Sequence, residues 1–135
     1  MHFEFDTKIR VRYAEVDRMG YVYYGNYAQY YELGRVASMR QIGHTYREME
    51  ERGVIMPVIS LNVKYIRPAK YDDLLTIKTY IKSLPETRIN FEHEIFNQNG
   101  ELLNKADTTL VFISKETNRP VKAPQWFLEA LAKAM

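Results

Sequence analysis

Asp17 is the residue of this chain best placed to do chemistry. It lies in the run Tyr13-Ala14-Glu15-Val16-Asp17-Arg18-Met19-Gly20-Tyr21-Val22-Tyr23-Tyr24-Gly25-Asn26-Tyr27, which holds two glycines and five tyrosines. Ahead of it, Phe3, Phe5, Ile9, Val11 and Tyr13 alternate with His2, Glu4, Lys8, Arg10 and Arg12, the period of a half-buried strand. Behind it, Tyr27, Tyr30, Tyr31, Gly34, Ala37 and Ser38 recur at helical spacing. Asp17 is therefore expected in a loop that feeds a helix N-terminus, where unpaired amide N–H groups and the helix dipole stabilise negative charge. A fixed carboxylate facing such a helix end suits hydrolysis of an activated acyl group, with the amides holding the developing oxyanion.

The elements that would position this site follow from periodicity. A first strand covers about residues 3 to 13 and the long helix about 26 to 43, with Asn26 a good N-cap type and Gly43 a good stop. Thr45-Tyr46-Arg47-Glu48 has capping-box spacing and starts a second, short helix ending near Gly53. Four strand patterns follow. Val58 to Ile66 puts Ile59, Leu61, Val63 and Tyr65 on one face, and Leu74 to Leu84 does the same for Leu75, Ile77 and Ile81. Arg88 to Asn97 groups Ile89, Phe91 and Ile95, and Leu102 to Ser114 groups Ala106, Leu110 and Phe112. Leu84-Pro85-Glu86-Thr87 and the Asn99-Gly100 hairpin signal join the later strands tightly. A last helix is expected over residues 124 to 133, opening at Pro124. One helix against a five-stranded, mainly antiparallel sheet is an α+β layer pair, and the small residues Gly34, Ala37 and Ser38 would let the two approach closely.

Composition narrows the classes of function. A chain of 135 residues is expected to form one domain with a real core. Net charge is +2 with basic residues dispersed, so nothing draws it toward nucleic acid. Cysteine is absent, which excludes disulfides, Cys-based zinc sites and a thiol nucleophile and fits a reducing compartment. With no signal-peptide pattern and no apolar run near the ~18 residues of a membrane span, a cytoplasmic protein is expected. His2, His44 and His93 show no ligand spacing and are read as structural. There is no Gly-x-Ser-x-Gly elbow and no phosphate-binding glycine loop.

Taken together, Tyr13-x-Glu15-x-Asp17-x-x-Gly20-x-Val22-Tyr23-Tyr24-x-Asn26-Tyr27, Tyr31-Glu32-x-x-Arg35, Gly53-Val54-x-Met56-Pro57-Val58 and Tyr65-x-Arg67-Pro68-Ala69-x-Tyr71-Asp72-Asp73 resemble the hotdog-fold acyl-CoA thioesterases of the 4-hydroxybenzoyl-CoA thioesterase type. The resemblance covers about residues 5 to 115. It implies a single hotdog domain over residues 1–135, with the sheet wrapped around one long central helix. It also implies hydrolysis of an acyl-CoA thioester, without metal or cofactor, by a homodimer or homotetramer whose sites lie between subunits. Asp17 then matches the family's catalytic carboxylate, and the backbone at Tyr24 matches the group that polarises the thioester carbonyl. Many relatives carry histidine where this chain has Tyr24; others have tyrosine.

On this reading Gly20, Tyr21, Gly25, Asn26 and Tyr27 are candidate substrate-binding residues, with Gly25 leaving room for the pantetheine thioester. Arg67 and Lys70, flanking Pro68-Ala69, are the first candidates for the CoA phosphates. Plainer readings stand beside these. Asp17 could cap a turn, the glycines could serve only positive φ, and the tyrosines could be core or interface residues. Arg67, Lys70, Lys64 and Arg88 could simply solubilise. Glu32 and Arg35, three apart, read as a helix ion pair, or Glu32 as a buried acid orienting the loop. An acyl-carrier-protein thioesterase and a non-catalytic acyl-CoA-binding module are the alternative functions. The presence of Asp17 argues against the second.

Overall fold

Each long period-two segment forms a strand, and the 3.6-period segment forms the central helix. In the computed structural model, which describes residues 2–135, the elements are β1 (Phe3–Arg10), α1 (Tyr27–Ile42), α2 (Tyr46–Glu51), β2 (Val54–Ile55), β3 (Val58–Tyr65), β4 (Leu74–Ile81), β5 (Arg88–Phe96), β6 (Leu102–Val111), β7 (Ile113–Ser114) and α3 (Gln125–Ala134). Five strands pair antiparallel in the order β1-β4-β5-β6-β3, and α1 packs on one face against β1, β4 and β5. The predicted inward residues are buried: Leu75, Ile77 and Ile81 on β4, Ile89, Phe91 and Ile95 on β5, and Ala106 and Leu110 on β6. At Gly34 the helix and sheet touch so closely that a Cβ would lie 2.5 Å from Thr79 Oγ1.

The core has two apolar halves along α1. Met39, Ile42, Phe91, Phe112, Phe127 and Leu131 belong to the half under α2 and α3. Tyr27, Tyr30, Tyr31, Leu75, Ile77 and Ile95 belong to the half beside the Asp17 loop. A polar belt is also buried between α1 and the sheet. Thr79 and His93 are register partners, and Thr108 lies beside Phe91 on the next strand. Thr108 Oγ1 meets His93 Nε2 at 3.1 Å and accepts from Arg35 Nη1 at 3.4 Å. Burial, with Arg35 nearby, pushes the His93 ring down to about 3.

Several local expectations are corrected. β1 stops at Arg10 because the chain enters a 3-10 turn at Tyr13–Glu15, leaving Tyr13 exposed. The strand expected over Leu102 to Ser114 breaks at Phe112, whose N–H bonds to Thr87 O at 3.0 Å; β7 then pairs with β2 in a separate ribbon. Thr45 does cap α2, its hydroxyl accepting from Glu48 N at 3.1 Å, but the Glu48 carboxylate turns to His44 Nδ1 and does not close the box. The Glu32–Arg35 ion pair does not form: Glu32 is exposed, and Arg35 is buried against Thr108.

β3 behaves differently from the other strands. Beyond the bulge between Val58 and Ser60, its Leu61, Val63 and Tyr65 pair with Thr108, Ala106 and Asn104, which are buried on the face that carries α1. The alternation is as expected, yet Val58, Ile59, Leu61 and Tyr65 are all exposed. α1 does not extend over this edge, so an apolar strand with an unpaired side faces solvent.

Candidate active site

The segment after β1 folds into a small hairpin pinned to two neighbours. Val16 and Val22 form an antiparallel bridge, and Tyr21 bridges to Lys70. Gly20 sits at φ +78, where a side chain is strained, and its N–H closes the turn onto Asp17 O at 3.0 Å. Val22 N donates to Ala69 O, and Tyr71 N to Gly20 O, both at 2.9 Å. The Arg67–Tyr71 stretch thus forms the far wall of the Asp17 loop.

Asp17 itself is exposed. Its Oδ1 accepts from the backbone N–H of Met19 at 2.8 Å and of Tyr21 at 3.2 Å. Among the described residues nothing donates to Oδ2. One carboxylate oxygen is therefore anchored and the other is available, which is the arrangement a positioned base or nucleophile needs.

The entry to α1 differs from a simple capped start. Tyr23 is extended, Tyr24–Asn26 form a 3-10 turn, and α1 begins at Tyr27. Asn26 is not the cap expected from its type. Its backbone is already helical, and its Nδ2 donates to Glu15 O at 2.9 Å. Among the described residues, neither the Tyr24 nor the Gly25 amide N–H donates to the chain. These are orphan donors of a helix start. The space beside Gly25 is filled by the Tyr23 ring, 2.7 Å from where a Cβ would be, so the glycine makes room for that ring. The side chain of Tyr24 is 66% exposed and leans on Tyr23, ring centroids 4.8 Å apart.

A cleft of about 540 Å³ brings Asp17, Tyr21, Tyr24, Tyr27, Tyr65 and Arg67 together. Tyr27 is buried, and its hydroxyl accepts from Ala69 N at 3.1 Å, so it is a wall that also ties the Pro68-Ala69 loop to α1. Next to this cleft, and sharing Tyr21, Arg67 and Pro68 with it, lies a polar groove of about 490 Å³ that reaches Lys70, Gln98 and Asn99. Arg67 and Lys70 are both exposed there, but Arg67 is paired with Glu101 at 3.3 Å.

Sequence reasoning overlooked Glu15 as a distinct group. It is buried, and it accepts from Arg12 N (2.8 Å), Arg12 Nη2 (2.9 Å) and Tyr30 OH (3.1 Å). Burial works to raise its pKa, but the hydrogen bonds from Arg12 and Tyr30 outweigh it and hold the carboxyl below its ordinary range. No residue-type signal separates Glu15 from an exposed acid. Its burial depends on the 3-10 turn that tucks it under Tyr30.

A family model described as the thioesterase-like superfamily matches residues 11–131. The chain is 31% identical to the acyl-CoA thioester hydrolase YbgC of Escherichia coli over 121 residues, 90% of each protein. It superposes on the crystal structure of a DHNA-CoA thioesterase from Staphylococcus aureus with a TM-score of 0.88 at 36% identity, covering 96% of this chain and 89% of that one. A 4-hydroxybenzoyl-CoA thioesterase variant in complex with 4-hydroxybenzoyl-CoA matches with a TM-score of 0.85 at 25% identity, over 95% and 98% of the two chains.

Proposed function

Given that the chain belongs to the thioesterase-like superfamily of hotdog-fold acyl-CoA thioester hydrolases, we propose that Asp17 is its catalytic carboxylate and that the Tyr24 and Gly25 amides at the helix start hold the thioester oxyanion. The observation that carries this reading is the pairing of opposites in one short segment. Asp17 Oδ1 is anchored by two amides while, among the described residues, Oδ2 is unengaged and the Tyr24 and Gly25 N–H groups lack acceptors. A thioester already has a good leaving group, so the enzyme needs only an activated water or nucleophile and stabilisation of the oxyanion. Asp17 supplies the first as general base or as nucleophile, and CoA thiolate departs. The acyl group meets the tyrosine-lined cleft, and the polar groove with Arg67 and Lys70 accommodates the phosphate end of CoA.

The working unit is a homodimer or homotetramer in the cytoplasm. The uncovered apolar strand β3 supports the oligomer, and the cysteine-free composition fits the compartment.

The test is steady-state hydrolysis over a panel of aromatic and straight-chain acyl-CoAs and an acyl-carrier-protein thioester, comparing wild type with Asp17→Asn. Asparagine keeps an oxygen for the Met19 and Tyr21 amides but loses the charge. A loss in kcat of at least ~10² with the fold intact is expected. Near-full kcat in Asp17→Asn removes the assignment. Tyr24→Phe should cost little, because the role given to Tyr24 is that of its main chain.

A further inference from the structure

Glu15 is the one acid of the catalytic segment whose carboxylate is fully occupied. Oε1 accepts from Arg12 N and Tyr30 OH, and Oε2 from Arg12 Nε and Nη2. It has no lone-pair direction left for water or substrate and is not a second base. Its main-chain oxygen is also doubly used, accepting from Tyr23 N and from Asn26 Nδ2, both at 2.9 Å. One residue therefore joins the segment just past β1, the 3-10 turn leading into Asp17, the turn that carries the Tyr24 and Gly25 amides, and the first turn of α1.

We propose that Glu15 is a positioning residue for thioester hydrolysis: it clamps the backbone before Asp17 to the backbone before the Tyr24 and Gly25 amides, fixing the carboxylate relative to the oxyanion donors. This rests on the roles given above to Asp17 and the helix start. Glu15 stands where such a clamp acts on both halves of the segment. Between Asp17 and Tyr24 the chain reverses through Gly20 at φ +78, and the Val16–Val22 bridge is the one backbone ladder across the reversal. That bridge is made by Asp17 N to Tyr21 O at 2.8 Å and by Tyr23 N to the Glu15 carbonyl at 2.9 Å, so Glu15 itself supplies one of its two bonds. The same carbonyl also accepts from Asn26 Nδ2, which ties the hairpin to the helix start alongside the link through Ala69 and Tyr27, and the carboxylate fixes Glu15 in turn by gripping Tyr30 and Arg12. Misplacement of a reacting group by about 1 Å is enough to lose orders of magnitude in rate.

The experiment compares Glu15→Gln with wild type in the intact protein. Glutamine retains an acceptor for Arg12 N and Tyr30 OH, but its amide N–H₂ opposes the Arg12 guanidinium, so one side of the clamp opens. On the best acyl-CoA, kcat should fall on the order of tenfold while KM stays within about twofold. In an Asp17→Asn background the same change should cost less than about twofold, because Glu15 acts through Asp17. Tyr30→Phe, which removes a single donor, should move kcat the same way by less, and it keeps the test open if Glu15→Gln folds poorly.

Amide hydrogen exchange over residues 16–27 gives a readout independent of turnover. Exchange should quicken there in Glu15→Gln and Tyr30→Phe while β5 and β6 stay protected. Unchanged exchange in that segment overturns the proposal, and so does an unchanged kcat in Glu15→Gln. A loss as large in the Asp17→Asn background as in wild type also overturns it, since it marks a general structural defect. If wild type hydrolyses no thioester, or Asp17→Asn is fully active, the reading of the reaction fails instead, and the exchange result alone decides whether Glu15 is a clamp.

Discussion

Gly34 sets how closely α1 lies on the sheet, and alanine at that position measures the closeness. The added Cβ would stand 2.5 Å from Thr79 Oγ1 and 3.0 Å from Ile77 Cγ2, against roughly 3.5–4.0 Å for an ordinary carbon contact. Thr79 and Ile77 are fully buried on β4, and β-branched side chains are stiff about χ1. The helix must lift, or the strand bend, by about an ångström. Overpacking of this kind costs about 1–3 kcal/mol, and the better helix propensity of alanine returns about 1 kcal/mol. The expected net is a destabilisation of up to about 2 kcal/mol, or up to roughly 6 °C in Tm. Thr79→Ala removes the nearest atom, and its hydroxyl is buried without a partner, so the single change should be mild. Combined with Gly34→Ala it should restore about 1 kcal/mol relative to additivity. Urea unfolding reports this, followed by far-UV circular dichroism and by Trp126, the only tryptophan. Several protein concentrations separate the effect from association. A Gly34→Ala protein more stable than wild type at unchanged m, or a strictly additive double variant, would refute the reasoning.

His93 is buried beside Arg35 and its ring is held down to about 3 from 6.5. The folded state therefore binds this proton more weakly than the unfolded chain, and stability should fall as pH drops from 6.5 toward 3. His93→Gln should flatten that part of the stability profile in urea titrations at successive pH values; an unchanged slope would place the ring's titration elsewhere. Sedimentation equilibrium at micromolar concentration should show no dominant species near 16.0 kDa, and Leu61→Lys on the uncovered face of β3 should shift the population toward that mass. A stable, active wild-type monomer would sink the oligomer and the role of β3 together. Arg67→Ala with Lys70→Ala should raise KM for acyl-CoA more than it lowers kcat, in a salt-dependent way, and spare a truncated acyl-pantetheine thioester. Equal loss on both substrates would mean that CoA is held elsewhere.

Periodicity alone located every long element, because a strand or helix that buries one face must repeat its apolar residues at the period of that face. Turn chemistry was equally local: Gly20, Gly43 and Gly100 all stand at positive φ, where their lack of a Cβ is what matters. The place of Asp17, between a strand and a helix start, followed from those two signals. Which polar groups lose their water was a different matter. Glu15 and Asp17 are acids two residues apart, yet one is buried and the other exposed. The difference comes from Tyr30, fifteen residues away, closing over one of them. Arg35 had a partner in helical register at Glu32, but its guanidinium meets Thr108, 73 residues along the chain. Asn26 had the right type for a cap and spends its amide on Glu15. The alternation in β3 announced an apolar face without saying that α1 would leave it uncovered. A local pattern reports which face of an element avoids water; only the packing of distant segments decides which carboxylate, guanidinium or amide is desolvated and what compensates it.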